Sequence, residues 1–145
     1  MRCVLTDNLF LGTWRLVSFE VRSAGDKVYY PWGENPAGYI MYNADGYMSV
    51  SMMASDRPAF EASDLPKGTE QEKVAAADKY ISYAGKYEVR GSKVIHHVDV
   101  SLFPNWVGGN QERNFKFEGN RLLLSADPVP DDEKQKAGYL IWEKA

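Results

Sequence analysis

The chain predicts an all-β fold: a closed, antiparallel, up-and-down barrel of eight to nine strands with one helical insertion near residues 70–83. Three observations carry this expectation. Apolar and aromatic runs recur with short glycine-containing turns between them, and strands that follow one another without helices close most simply as an antiparallel meander. A single segment carries a helix-start signature. Gly12-Thr13-Trp14 opens the first run, and a Trp just after a glycine entry point suits the closed end of a barrel, where its flat ring fills the taper of converging strands.

The elements follow in order. The first strand spans about Gly12 to Arg22 and ends at the turn Ser23-Ala24-Gly25-Asp26, and Lys27 to Trp32 is a short second strand broken by Gly33-Glu34-Asn35-Pro36. Tyr39–Asn43 and Tyr47–Met53 flank Ala44-Asp45-Gly46, a hairpin signal. Residues 54–68 lose periodicity and gather Ser, Asp and Pro, as a long loop does. Thr69 and Glu72 have the spacing of a capping box, and Val74, Ala77, Tyr80 and Ile81 share one helical face, which predicts a helix from Glu70 to Tyr83. Strands follow at Gly85–Arg90, Val94–Phe103, Asn110–Glu118, Arg121–Ala126 and Gly138–Glu143, with a polar loop at 127–136.

The 145 residues make one domain, 1–145, large enough for a core of its own. Hydrophobic residues at 44% and charged residues at 26% match an ordinary globular chain rather than a disordered or membrane-spanning one. A net charge of −3 and a pI near 5.4 leave no basic stripe for phosphates, so no nucleic-acid partner is expected. One cysteine, Cys3, permits no internal disulfide and no Cys-rich metal site, so neither metal nor cofactor is expected. Without a signal-peptide pattern or a bilayer-length apolar run, a cytoplasmic protein with no membrane partner is expected.

Gly12-Thr13-Trp14-Arg15-Leu16, the run from Tyr30-Pro31 through Gly33-Glu34-Asn35-Pro36 to Gly38-Tyr39-Ile40-Met41-Tyr42, and Asp45-Gly46-Tyr47-Met48-Ser49-Val50 resemble the lipocalin-like domain family of small bacterial and fungal proteins. So do His96 through Gly108 and the spacing on to Gln111 and Arg113, and together these segments cover nearly the whole chain. The resemblance implies a calycin-type barrel with an internal pocket, in a family most of whose members have no assigned activity. Secreted lipocalins normally have signal peptides and disulfides, so extracellular transport is not carried over.

Strand alternation suggests which side chains line the pocket. If Trp14 points inward, Leu16, Ser18 and Glu20 follow it and Arg15, Val17 and Phe19 point out. Core logic places His96 inside and His97 outside, and the charges of Glu112, Lys116 and Glu118 turn Gln111, Arg113, Phe115 and Phe117 inward. An arginine inside a barrel is costly unless it is paired or meets an anionic ligand. Glu20, His96 and Arg113 are therefore candidate catalytic residues for proton transfer. Trp14, Tyr42, Tyr47, Tyr87, Gln111 and Phe115 are candidate ligand contacts, with Trp106 on a rim loop after Pro104.

Plainer roles stand beside these: Arg113 stacked on Trp14, His96 satisfied in the core, Glu20 solvated at a strand end. Three functions stay open. The first is intracellular binding of a small, partly apolar molecule, neutral or anionic, in the barrel. The second is a metal-independent isomerase or cyclase acting by proton transfer on a polyketide- or terpenoid-like substrate. In the third, Val17, Phe19 and Val21 form a homodimer face on a chain that is otherwise a monomer. The sequence leaves open whether the protein is an enzyme.

Overall fold

The computed structural model describes residues 8–23, 25, 27–127 and 136–145. Nine strands form one antiparallel sheet: β1 (Gly12–Ser23), β2 (Lys27–Tyr29), β3 (Ala37–Tyr42), β4 (Tyr47–Met53), β5 (Tyr80–Arg90), β6 (Lys93–Ser101), β7 (Asn110–Glu118), β8 (Arg121–Ser125) and β9 (Ala137–Lys144). Each strand from β3 to β8 pairs with its successor, and β1 pairs with both β3 and β9. Eight strands thus close into a barrel. The ninth, β2, adds to the end of β1 through Val21↔Tyr29 and Ser23↔Lys27.

Closure depends on the length of β1. Its first residues pair with β3 from Gly12↔Tyr42 to Arg15↔Tyr39, and from Trp14 onward it also pairs with β9, as far as Arg22↔Ala137. A β-bulge interrupts the β9 ladder between Leu16 and Ser18. One extra residue reverses the facing of everything beyond it. Trp14 and Leu16 are buried inside as expected, but after the bulge Phe19 points inward and Ser18 and Glu20 turn outward. This corrects the alternation read from the sequence, which a bulge leaves no mark on.

The closed end is plugged as the Gly-x-Trp motif suggests. Trp14 packs against Phe117, donates its indole N–H to the Phe10 carbonyl at 2.9 Å, and carries the Lys144 ammonium 4.4 Å above its ring. Gly12 makes room for that lysine: its φ is +119°, and a Cβ there would lie 2.9 Å from Lys144 Nζ. Phe10 fills the rest of the plug, with Tyr42, Phe115 and Phe117 around it at centroid distances of 4.9–5.0 Å.

The helix α1 (Glu70–Asp78) begins with the expected capping box, Thr69 and Glu72 bonding each other's backbone N–H. It stops five residues short of the expected end. Tyr80 to Tyr83 instead open β5, paired with β4 from Met53↔Tyr80 to Val50↔Tyr83. Aromatic and β-branched residues there favour a pleated ladder, and its pairing outweighs helix propensity. The proposed apolar face does not form either, since Val74 is 58% exposed.

Candidate functional site

A cavity of about 140 Å³ lies between the plug and the other end of the barrel. An engineered cavity of about 150 Å³ admits benzene, so this space suits one six-membered ring. Its walls are largely apolar: Phe19 from β1, Ile40 from β3, Val50 and Met52 from β4, Leu124 from β8, Leu140 and Trp142 from β9. Trp106, in the short 3-10 turn between β6 and β7, stands edge-on to Tyr83 with ring centroids 5.7 Å apart. The polar lining is concentrated in Tyr83, His96 and Arg113, with Ser125 on β8.

His96 is 1% exposed and held on both ring nitrogens: Tyr42 Oη is 2.7 Å from Nε2 and Tyr83 Oη 2.7 Å from Nδ1. Burial, the nearby Arg113 charge and His97 push its pKa down to about 3, so the imidazole is neutral, with one N–H and one bare nitrogen. The Tyr42 hydroxyl is fully buried and has no acceptor among the described residues besides His96. Stranding that O–H would cost about 1–3 kcal/mol. The satisfied arrangement therefore has Tyr42 donating to Nε2 and Nδ1–H donating to Tyr83. The Tyr83 hydroxyl is then left with its own O–H to give, and Tyr83 lines the cavity. Burial raises the pKa of Tyr83 to about 12 and that of Tyr42 well above the usual tyrosine value, so both stay protonated.

Arg113 faces inward, as the alternation of β7 indicates, but does not stack on Trp14; Lys144 takes that place. Its guanidinium donates to the Glu112 carbonyl and the Gln111 side-chain oxygen, each at 2.8 Å. Among the described residues it has no carboxylate partner. Three of its five N–H donors remain.

The other expected site residues are distributed differently. Glu20 lies on the outer face in an ion pair with Arg22 at 2.8 Å, because the bulge turned it there. Tyr47 is 44% exposed, beside Lys86 on the barrel exterior, because the three-residue loop 44–46 pairs Tyr42 with Met48 and leaves Tyr47 on the opposite face. Trp14, Phe115 and Tyr87 belong to the plug; the Tyr87 hydroxyl donates to the Asn43 carbonyl and accepts from Asn8. Tyr42 stands behind His96, and Gln111 holds Arg113. Trp106 lines the cavity. His97 points outward between Glu88 and Asn110, whose hydrogen bonds raise its pKa, opposite in every respect to its neighbour His96. Tyr83 and Phe19 escaped the sequence reading, one assigned to the helix and the other to the outer face.

Fold and site define a closed β-barrel with a small internal cavity, apolar on most sides and polar in one corner. The chain belongs to the lipocalin-like domain family, whose model matches residues 11–145. It is 31% identical over 106 residues to the 4'-hydroxy-3'-methoxypropiophenone carrier protein ppsC of Aspergillus oryzae (strain ATCC 42149 / RIB 40), covering 67% of this chain and 96% of that protein. Among solved structures it resembles a lipocalin-like protein from Bacteroides uniformis ATCC 8492, with a TM-score of 0.49 and 12% identity over 94% of this chain and 98% of that one. A protein from Bacteroides eggerthii DSM 20697 gives a TM-score of 0.48, also at 12% identity, covering 94% and 99% of the respective chains. The fold and the carrier relative support small-molecule binding. Among the described residues no helix is long and apolar enough to cross a membrane.

Proposed function

We propose that the protein is an intracellular binding protein for a small, partly apolar molecule about one ring in size, held by apolar walls and an oxygen that meets Tyr83 and Arg113. The observation that carries this reading is Arg113: a half-buried guanidinium lines an apolar cavity with three of its five N–H donors left over and no carboxylate partner among the described residues, so an oxygen in the cavity would find donors waiting. The relative from Aspergillus oryzae supports the class, since its named cargo is an oxygenated phenyl ketone. The isomerase reading has less to stand on. It needs a carboxylate beside the imidazole, and Glu20 lies outside the barrel while both nitrogens of His96 are engaged by tyrosines. The homodimer face loses Phe19, which lines the cavity.

Thermal unfolding with a graded set of aromatic compounds tests the proposal. Monocyclic compounds with an oxygen acceptor raise the midpoint in proportion to occupancy, by about 2.7 kcal/mol of stability at a hundredfold excess over the dissociation constant. Fused tricyclic compounds leave it unchanged. A midpoint indifferent to every monocyclic compound overturns the proposal.

A further inference from the structure

We infer that the cavity takes its ligand in the ionised form, as a ring-borne hydroxyl that has lost its proton, a phenolate or cyclic enolate, with the oxygen between the Tyr83 hydroxyl and the Arg113 guanidinium. This rests on the cavity being a ligand site. The new element is the one-way polarity of its inner polar corner. The buried Tyr42 hydroxyl must donate to His96, His96 must then donate to Tyr83, and Tyr83 is left as a donor. Arg113 is a donor by nature, and the Gln111 oxygen beside it already accepts from its guanidinium.

A neutral hydroxyl placed there would have to give its proton to a weak neutral acceptor, the remaining lone pair of Tyr83 or the Ser125 hydroxyl. An ionised hydroxyl brings acceptor capacity alone, and its proton goes to solvent on binding. The strands facing this corner add no competing charge: β1, β4, β8 and β9 present Phe19, Met52, Leu124 and Leu140, and the titratable groups that face it are Tyr83 on β5, His96 on β6 and Arg113 on β7, with Tyr42 on β3 behind them. A carboxylate would also be met by these donors; a phenolate differs in spreading part of its charge into a ring that the apolar walls cover, and the benzoate competitor decides between them.

4-Nitrophenol reports its own ionisation by absorbance and is the probe, with 4-nitroanisole as its non-ionising counterpart and benzoate as a carboxylate competitor. The bound nitrophenol is expected to ionise at least about one pH unit below the free compound, an approximately tenfold preference for the anion. Arg113→Met abolishes that shift while nitroanisole still binds, and Tyr83→Phe reduces it, giving a second reading should Arg113→Met fail to fold. A bound nitrophenol that ionises at its free value or higher, or a shift that survives in both variants, overturns the inference and leaves the cavity as a binding site. Benzoate binding more tightly than nitrophenol overturns the choice of phenolate over carboxylate. Failure of nitrophenol to bind while other monocyclic compounds raise the unfolding midpoint overturns this inference alone, and indifference to all of them overturns the proposed function with it.

Discussion

Acidification isolates the energetics of His96. In the folded protein the imidazole ionises at about 3, whereas in the unfolded chain it does so near the ordinary value of about 6.5. Between those limits the unfolded chain carries the extra proton, so stability rises with pH across the window. The contribution is fully present above about pH 6.5 and is lost progressively as the pH falls towards 3. A difference of this size sets an upper limit of about 5 kcal/mol, comparable to the whole stability of a small domain. Reorientation of the Tyr42 and Tyr83 hydroxyls around an imidazolium reduces it.

Exposed carboxylates held below their usual range by partners, Glu88 and Asp127 among them, also weaken the fold in acid. The comparison is therefore between the wild type and His96→Gln, which keeps a donor and an acceptor but does not titrate. Urea midpoints measured from pH 7 to pH 4 should fall more steeply for the wild type, by about 1 kcal/mol per pH unit once below pH 6. Parallel lines for the two proteins would show that His96 is not held neutral by its surroundings, and the donor chain built on it would fail.

Nitrogen NMR of the same histidine is expected to show the tautomer protonated on Nδ1, and a signal for the Nε2 tautomer contradicts the direction of the Tyr42–His96–Tyr83 chain. Gly85→Ala places a Cβ on the His97 carbonyl oxygen, where the β5–β6 ladder carries a bulge, and should cost about 3 kcal/mol in chemical denaturation. Trp14→Ala removes the plug and should cost about 3–5 kcal/mol by the same measurement. Glu20→Gln, on the outer face, should leave ligand affinity measured by calorimetry unchanged; a loss of binding would place Glu20 in the site after all.

The sequence by itself determined the number and order of the strands, the single capped helix, the Trp14 plug, and the opposite facing of His96 and His97. Each follows from local rules: alternation, turn chemistry and a capping box act over a few residues and are visible in them. Tyr47, set among the ligand contacts, could have been placed outside by the same rules, since a three-residue loop obliges Tyr42 to share its face with Met48. Tertiary structure alone decided the rest. The bulge in β1 exchanged Glu20 for Phe19 in the cavity, and pairing with β4 claimed Tyr83 for a strand. Lys144, 130 residues from Trp14 in the chain, took the place over its ring and left Arg113 to the cavity. Register and cation placement are set by partners distant in sequence, and those partners exist for one another only once the barrel has closed.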